Sequence, residues 1–323
     1  MELPQSLRSA IENLLESVSH SELLTDAQNI SMRYRSQRGK GERLITDKTE
    51  ALAYAASRMP ATFGAIYTAL ENSMLMARCR PKTLVDAGAG TGAASWAADS
   101  ILDLDNITCI EKETVMHDIG SELMKYGPEP LRKAEWIKGD LVTADIPKAD
   151  LVIAAYVLNE ISVNKRKEVI EKLWSSSEMM FLIVEPGTPA GYSNLMDARH
   201  LLIELGANIV SPCTHQNACP KEGNDWCHFT CRISRSRLHR RLKGGEAPFE
   251  DEKFSYICVV REKCNTQGMR VLRHPLVHSG YVQLEVCTAE GIKNIKLSKK
   301  DGEQYKKAKK AIAGTLLSTE ETV

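Results

Sequence analysis

The stretch Thr83–Gly92 constrains the fold of this chain more than any other. Leu84 and Val85 predict a strand, which runs into Asp86 and then into a turn with glycine at every second position. Good helix formers follow over Ala93–Ala98. Glycine has no Cβ and tolerates positive φ, so a strand, a glycine turn and a helix in this order let the backbone approach a ligand closely. The stretch therefore predicts a nucleotide-binding unit in a doubly wound α/β sheet.

The spacing of the three glycines favours S-adenosylmethionine (SAM) over a dinucleotide. A dinucleotide-binding turn has the pattern G-x-G-x-x-G, whereas these glycines occupy alternate positions after an aspartate. The next two predicted strands each end in a carboxylate, the first placed for ribose hydroxyls and the second for adenine. The competing interpretation is a glycine turn that binds nothing. The predicted cofactor-binding residues are Asp86, Gly88, Gly90, Gly92, Glu111 and Asp140.

Composition excludes several classes of protein. A hydrophobic fraction of 43% is typical of a globular chain, and 42 basic against 42 acidic residues confine any nucleic-acid binding to local patches. No apolar run reaches the length of a membrane span, and Met1–Pro4 lacks a signal pattern, so we expect a cytoplasmic protein without a membrane partner. The nine cysteines are not expected to form disulfides there, and clustered ones suggest a metal.

The periodicity of apolar residues divides the chain into three parts. Residues 1–78 are predicted to be a helical N-terminal region. Residues 79–262 alternate strands and helices, the pattern of a parallel sheet, and include a Cys-rich insertion at 211–250. Residues 263–323 predict a small β appendage and a basic tail. We therefore expect an α/β fold: a doubly wound SAM-methyltransferase (Rossmann-like) sheet with the helical region, a metal-binding insertion and the C-terminal appendage.

The fourth predicted strand of the sheet runs into Asn159 and Glu160. In open sheets this carboxyl edge is where ligands bind, so both residues are candidates for the catalytic side of the site. Neither belongs to an Asn/Asp-Pro-Pro-Tyr amine-methylation motif, and both are equally well explained as polar residues that open the next helix. Whether the chain is an enzyme therefore stays open at this stage.

Three cysteines, Cys213, Cys219 and Cys227, lie within fifteen residues, a clustering that favours metal ligands over core residues. Their gaps are wider than in structural zinc sites, and Cys219 precedes a proline as in ferredoxin cluster loops. Iron–sulfur is therefore favoured over zinc, and three unligated surface thiols are the remaining alternative. The candidates for a fourth ligand are Cys231, Cys258, Cys264, Cys287, His215 and His228.

Residues 232–243 form the strongest basic run, with six Lys or Arg in twelve positions and no acid. A merely solvated helix normally interleaves acids, so contact with nucleic-acid phosphate is favoured. Acids return immediately afterwards at Glu250–Glu252. The predicted RNA-binding residues are Arg232, Arg235, Arg237, Arg240, Arg241 and Lys243.

Taken together, these motifs resemble the mitochondrial small-ribosomal-subunit methyltransferase-like family, that of methyltransferase-like protein 17 and its bacterial relatives. The resemblance spans almost the whole chain. The segments that carry it are Arg58–Thr62, Val85–Gly92, Glu185–Gly187, Pro212–Cys213, Cys219–Pro220, Asp225–Phe229 and Phe254–Tyr256.

The resemblance implies a SAM-type Rossmann domain, a 4Fe–4S cluster and association with the small ribosomal subunit and its rRNA. It also implies a set of cluster ligands, for which Cys264 is the alternative to the last member. Because no mitochondrial presequence is recognisable, we expect a cytoplasmic bacterial or archaeal member of the family. The ligands implied by the resemblance are Cys213, Cys219, Cys227 and Cys287.

Three functional hypotheses follow. The first is a SAM-binding iron–sulfur protein that acts on the small ribosomal subunit, as an rRNA methyltransferase or as an assembly factor in translation. The second is a SAM-dependent methyltransferase of a small molecule or protein, with a structural zinc ion. The third is a non-catalytic RNA-binding module whose SAM pocket is vestigial.

Overall fold

A computed structural model describes residues 1–16, 18–36, 45–221, 223–243, 245–264 and 268–318. The described chain forms a set of N-terminal helices, a large mixed sheet and a smaller second sheet. Among the described residues, no helix is both long and apolar enough to cross a bilayer.

The N-terminal part is helical. Asp47 caps α3, since its side chain accepts a hydrogen bond from Glu50 N, and Pro60 lies in the first turn of α4, where the N–H it lacks has no helical partner. Helix α4 packs closely on the large sheet, because a Cβ at Gly64 would stand 1.9 Å from Ile233 Cδ1. The helices are α1 (Gln5–Leu15), α2 (His20–Ser36), α3 (Lys48–Ser57) and α4 (Met59–Met74).

The large sheet then alternates strands and helices. Its elements are β1 (Thr83–Ala87), α5 (Ala93–Asp99), β2 (Asn106–Glu111), α6 (Thr114–Met124), α7 (Glu129–Arg132), β3 (Glu135–Lys138), β4 (Ala149–Ala155), α8 (Val163–Ser176), β5 (Ser177–Pro186), α9 (Pro189–Glu204), β6 (Asn208–Ser211), β7 (Phe229–Ser234), α10 (Arg237–Leu242) and β8 (Phe249–Val260).

The strand order is β3-β2-β1-β4-β5-β8-β6, and β7 also pairs with β8. Strands β1 to β5 are parallel, whereas β8 runs antiparallel to β5, β6 and β7. The order reverses between β1 and β4, which makes the carboxyl edge of these strands the expected ligand site. The predicted doubly wound, Rossmann-like sheet is confirmed.

The centre of this sheet is apolar on both faces, as expected of parallel strands covered by helices. In β5, Leu182 and Val184 pack into the core on one face, and Phe181 and Ile183 pack into the core on the other. All four side chains are completely buried. The sheet therefore provides a rigid floor for the site at its edge.

The second sheet is antiparallel, and β11 is its centre. Val282, Leu284 and Val286 of β11 face a small core that also contains Ala308 of the last helix. Its elements are β9 (Met269–Val271), β10 (Leu276–His278), β11 (Tyr281–Thr288), β12 (Gly291–Ser298), α11 (Gly302–Lys310) and β13 (Leu316–Leu317), with a short 3₁₀ turn over Lys299–Asp301.

Part of the predicted Cys-rich insertion belongs to the large sheet, and metal binding by the stretch is not confirmed. Strand β7 and the first half of β8 pair within the large sheet, with Arg232 opposite Asp251. Cys231, which the sequence places on a helix, lies in β7 with a buried side chain. The strand alternation of buried and exposed residues over Phe229–Ser234 explains this, since every second side chain packs inward.

Candidate functional site

A cleft opens at the carboxyl edge of β1 to β4, and we call it the glycine-turn cleft. It encloses about 840 Å³ counted out to its open mouth, a size typical of small-molecule sites. The predicted residues that line it are Gly88, Gly90, Glu111, Asp140 and Glu160.

The backbone of the glycine turn is left-handed at all three glycines, with φ of +74° at Gly88, +57° at Gly90 and +85° at Gly92. A side chain would be strained there, and a Cβ at Gly88 would stand 2.7 Å from Val157 Cγ2. Gly92 begins α5 and packs against Met124 instead of lining the cleft. The predicted contact of Gly92 with a cofactor is therefore replaced by a role in shaping the turn.

Asp86 lies behind the wall of the cleft and does not line it. Its Oδ2 accepts hydrogen bonds from Ser95 N at 3.0 Å and from Ser95 Oγ at 2.8 Å, so the carboxylate joins the end of β1 to the first turn of α5. Burial raises the pKa of Asp86 to about 6, although the bonds from Ser95 oppose the shift. The sequence identified the residue, but its side chain positions the turn instead of facing the cleft.

Glu111 and Asp140 reach the cleft from the ends of β2 and β3. Glu111 Oε2 accepts from Gly90 N and Oε1 from Glu113 N, both at 2.8 Å. Burial raises the pKa of Glu111, and the two backbone donors oppose that shift. Asp140 is exposed, and its Oδ1 accepts from Val142 N at 2.9 Å. The structure thus brings the two predicted carboxylates to one cleft.

Asn159 belongs to a buried polar network behind the cleft. Its Nδ2 donates to Glu185 Oε2 at 2.5 Å, and its Oδ1 accepts from Asn194 Nδ2 at 2.7 Å. Glu185 is fully buried and also accepts from Leu158 N at 3.0 Å. The amide of Asn159 is therefore engaged on both sides, whereas Glu160 lines the cleft.

Tyr156 is a cleft residue that sequence reasoning missed. Within the described ranges it is the non-glycine residue with a positive φ, +61°, a conformation that costs a tyrosine free energy. Its N donates to Val184 O at 2.7 Å and its hydroxyl to Glu252 Oε1 at 3.1 Å. Burial and then Glu252 raise the pKa of Tyr156. Contacts with β5 and β8 impose this backbone, and no local sequence signal encodes them.

Half of the predicted RNA-binding residues bind acids of β8 instead of facing solvent unpaired. Arg232 makes two hydrogen bonds of 2.7 Å to Asp251, because antiparallel pairing sets β7 directly across from β8. Arg235 and Lys243 contact Glu250 at 3.0 and 3.1 Å. The charges of these three basic residues are thus paired within the protein, and their contact with RNA stays a prediction.

Glu250 is the hub of this ion-pair cluster. His239 Nε2 also approaches it, at 3.2 Å from Oε2. Although burial opposes the shift, the hydrogen bond from His239 and the charge of Lys243 lower the pKa of Glu250 far below its usual range. The remaining basic residues of the run lie on α10, with Arg237 and Arg241 exposed and Arg240 half-buried.

Cys213, Cys219 and Cys227 line a second cavity, of about 460 Å³ counted to its mouth, which we call the cysteine cavity. Cys287 of β11 comes to the same place: its thiol is buried and hydrogen-bonds with that of Cys213. Thr214 Oγ1 donates to Cys287 O at 3.1 Å. By contrast, the alternative Cys264 lies near Cys79 and Cys258, away from this cavity.

The thiols of the cysteine cavity do not converge on one point. Among the described residues, no group of three or more His, Cys, Asp or Glu side chains is arranged to hold a metal ion. The thiols bind protein groups, and Tyr192 OH donates to Cys219 Sγ at 3.3 Å. Burial raises the pKa of Cys227 to about 12, while the hydrogen bond from Cys213 lowers that of Cys287. The predicted metal site is therefore not confirmed, although three of its four predicted ligands line one cavity and the fourth, Cys287, lies beside Cys213.

Charged side chains fasten the cysteine loop to the second sheet. Lys221 is buried, and its Nζ lies 2.5 Å from Asp225 Oδ2 and 2.7 Å from Glu285 Oε1 of β11. Arg273 Nη2 lies 2.5 Å from Asp225 Oδ1. The cysteine cavity is thus held between two sheets by ion pairs.

Comparison with known proteins relates the chain to one family. The family model described as "Mitochondrial small ribosomal subunit Rsm22" matches residues 48–318. The human "Ribosome assembly protein METTL17, mitochondrial" is 29% identical over 262 residues, which cover 75% of this chain and 56% of that protein. "Rsm22-cox11 tandem protein 2, mitochondrial" from Schizosaccharomyces pombe is 23% identical over 335 residues, covering 86% and 44%. The chain spans about half the length of these curated relatives.

Solved structures give weaker likenesses. Magnesium protoporphyrin IX methyltransferase from Synechocystis PCC 6803 with bound SAM has a TM-score of 0.40 and 15% identity, over 76% of this chain and 99% of that one. The plantazolicin methyltransferase BpumL in complex with SAH has a TM-score of 0.41 and 15% identity, over 75% and 98%. The fold assignment rests on the strand order of the large sheet and not on these likenesses.

The expectation of a cytoplasmic location is wrong. The matching family model and the curated relatives are mitochondrial by their own descriptions, and they point to the mitochondrion. An N-terminal pattern is a poor guide to location here, because the relatives are about twice as long as the chain that matches them.

Proposed function

The chain belongs to the mitochondrial small ribosomal subunit Rsm22 family, and we propose that it is a SAM-binding assembly factor of the small ribosomal subunit. The observation that carries the proposal is the glycine-turn cleft, found in a chain whose family match covers residues 48–318. The name of the human relative, a ribosome assembly protein, supports the choice of partner.

The chemistry of the cleft supports SAM as its ligand. Gly88 and Gly90 keep the turn free of side chains, so the backbone can approach the cofactor. Each oxygen of Glu111 accepts one backbone hydrogen bond and keeps a lone pair for a ribose hydroxyl. Asp140 is exposed at the rim, where its carboxylate can accept from the adenine amine. When bound, SAM would supply an electrophilic methyl group.

An assembly role is favoured over methyl transfer by the surroundings of Asn159. Its amide donates to Glu185 and accepts from Asn194, so its orientation is set by this buried network and not by a nucleophile in the cleft. Glu160 lines the cleft without an amine-methylation motif around it. In that role, the SAM-bound conformation of the protein would be the form that the ribosomal subunit recognises. Transfer of a labelled methyl group from SAM to subunits would overturn this part of the proposal.

We further propose that the cysteine cavity holds a 4Fe–4S cluster through Cys213, Cys219, Cys227 and Cys287. Thiolate donors suit iron–sulfur clusters; three of these side chains line one cavity, and Cys287 lies beside Cys213. A bound cluster would supply a covalent cross-link between the loop after β6 and the second sheet. Because metal binding couples to folding, cluster loss should loosen the docking of that sheet.

Metal analysis tests the cluster. We would purify the wild type, Cys287→Ser and the control Cys258→Ser anaerobically, and measure iron, zinc and sulfide. Cys258 is a buried cysteine of β8 outside the cavity, so its substitution tests for general damage. We expect iron and sulfide in the wild type and the control, and their loss in Cys287→Ser. Stoichiometric zinc without sulfide would instead indicate a structural zinc site.

For contact with rRNA we propose the outer face of α10. Arg237 and Arg241 are exposed there, whereas Arg232 is neutralised by Asp251. We expect Arg237→Gln with Arg241→Gln to weaken co-sedimentation with small subunits and to lower the salt slope of binding by about 2, about one per phosphate contact. The matched control, Arg232→Gln with Asp251→Asn, also removes charged groups but should leave the slope unchanged. Equal slopes in all three proteins would exclude α10 as the interface.

A further inference from the structure

Two arginines are completely buried beside the cysteine cavity. Arg199 of α9 is 1% exposed and Arg270 of β9 is 0% exposed, and both rank among the largest fully buried side chains. Neither has a role in the glycine-turn cleft. A buried guanidinium stays charged, so its surroundings must compensate that charge.

Arg199 lines the cavity next to Cys213. Its Nη2 donates to His215 O at 3.3 Å and to Asn217 O at 2.5 Å, the backbone of the loop that carries the cysteines. Its Nε is buried without a hydrogen-bond partner among the described residues. The side chain is thus held at the cavity but only partly satisfied.

Arg270 flanks the other side of the same loop. It pairs across the second sheet with Cys287, and its Nε donates to Pro212 O at 3.2 Å. Its remaining donors contact neutral groups of three residues, at Gly314 O, Ser211 Oγ and Asn72 Oδ1. Arg270 therefore stands between two of the cysteines in sequence and in space.

Neither guanidinium has a carboxylate within ion-pair distance in the described part of the chain, and every partner is a carbonyl, an amide or a hydroxyl. Lys221 beside them differs, because it binds two carboxylates. A buried charge without a counter-charge costs several kcal/mol in general. The fold therefore retains two positive charges beside the cysteine cavity that no carboxylate of the described residues balances.

We propose that Arg199 and Arg270 are the counter-charges of the thiolate-bound group that the cysteine cavity takes up. This inference rests on the proposed function of that cavity. Each thiolate brings a negative charge, and four of them outweigh the positive charge of a 4Fe–4S core or of a zinc ion. The loaded cavity is thus anionic, and the two guanidiniums are positioning residues that balance it.

The two states of the cavity then respond oppositely to loss of one charge. Without metal, each arginine is an unpaired buried charge, so a neutral side chain costs the fold little or stabilises it. With metal, the same substitution removes a favourable interaction with the anionic group. For a cluster, lost positive charge also disfavours the added electron, so the reduction potential falls.

The experiment compares Arg199→Gln and Arg270→Gln with the control Arg261→Gln. Arg261 also donates to backbone carbonyls, those of Ser177 and Trp174, but lies away from the cavity. Each protein is purified anaerobically, freed of metal by chelation, and reloaded with ferrous iron and sulfide. Unfolding midpoints are measured for both forms, and the reduction potential for the reloaded one.

We expect Arg199→Gln and Arg270→Gln to lower the unfolding midpoint of the reloaded form only. We also expect the ratio of oxidised to reduced cluster at a fixed potential to rise at least tenfold. For a one-electron couple this corresponds to a fall in reduction potential of about 59 mV. Arg261→Gln should change both forms alike and leave the potential unchanged. Arg199→Lys, which keeps the charge, should keep a potential near that of the wild type, and it serves if the glutamine variant does not fold.

Equal destabilisation of both forms with an unchanged potential would overturn the inference and leave the two arginines as structural residues. The inference would also be overturned if the reduction potential of Arg199→Lys fell by the same amount, about 59 mV, although the lysine keeps the positive charge. A wild type that takes up neither iron nor zinc would overturn the proposed function of the cavity itself. If the wild type loads zinc, the comparison of unfolding midpoints between the two forms decides alone.

Discussion

The glycine-turn cleft and the cysteine cavity are assembled in opposite ways. The cleft collects residues from the ends of neighbouring parallel strands, and Gly90 and Glu111 meet across 21 residues. The cysteine cavity needs two sheets, since Thr214 and Cys287 meet across 73 residues. A site of the first kind is complete once its sheet has formed, whereas one of the second kind depends on how two bodies dock.

Their charges differ in the same way. In the cleft, Glu111 is satisfied by the backbone N–H groups of Gly90, in the glycine turn, and of Glu113. At the cysteine cavity, Lys221 is satisfied by carboxylates that include Glu285 of the second sheet. We therefore expect changes at one site to leave the other intact, and three variants test that independence.

The largest effect is expected from Glu285→Gln combined with Asp225→Asn. These substitutions leave the Lys221 ammonium buried without a counter-charge, so the free energy of unfolding should fall by about 3 kcal/mol. Urea unfolding measures the loss, and SAM affinity, measured by calorimetry, should not change. The control Glu290→Gln removes an exposed pair with Lys293, which water and salt screen, so it should cost far less. A similar cost in both proteins would mean that the buried pairs do not fasten the second sheet.

The second prediction concerns Asp86→Asn, a substitution behind the wall of the glycine-turn cleft. The folded pKa of Asp86 is raised to about 6, so its contribution to stability is fully present below its ordinary pKa and is lost as pH rises through 6. The loss amounts to about 3 kcal/mol at one pKa unit per 1.36 kcal/mol. The wild type should lose stability as Asp86 ionises, whereas the asparagine variant should not. We therefore expect the unfolding free energy of the variant, relative to that of the wild type, to rise by this amount between about pH 4 and 7. Parallel stability curves over that range would contradict the buried ionisation.

The smallest effect on stability is expected from Gly88→Ala. A left-handed alanine costs about 1 kcal/mol, and here the new Cβ also meets Val157 at 2.7 Å, so SAM binding should be lost. Gly206→Ala is the matched control, because its φ is +80° but nothing lies within 4 Å. Calorimetry with SAM should separate the two variants, and iron uptake at the cysteine cavity should be the same in both. Loss of SAM binding in the control as well would place the effect in overall stability.

The sequence predicted the cleft far better than the side-chain partners around it. Glycine spacing and strand-end carboxylates are local, so Gly88, Glu111 and Asp140 could be placed on one cleft. The partner of Asp86 could not, because Ser95 reaches it only once α5 has packed on β1. The strain at Tyr156 depends likewise on contacts with distant strands.

The basic run at residues 232–243 shows the same limit, because the sequence alone does not reveal which residues of two strands pair. Its charges and the acids of 250–252 are both evident in the sequence, but the segment was expected to be helical. The structure makes Phe229–Ser234 a strand, and antiparallel pairing then sets Arg232 against Asp251. Counting charges along the chain therefore overestimates the positive charge of a surface when an acidic strand pairs with the basic segment.

Cys287 lies far along the chain from the other three cysteines of the cavity. This distance also determines when, during synthesis, the four cysteines can come together. A ribosome releases the first three cysteines of the cavity well before β11, which carries Cys287. Closing such a long loop is slow compared with forming the helices and turns of the large sheet. The cysteine cavity therefore matures after the glycine-turn cleft, and we expect a nascent or truncated chain that ends before β11 to lack the completed thiol set.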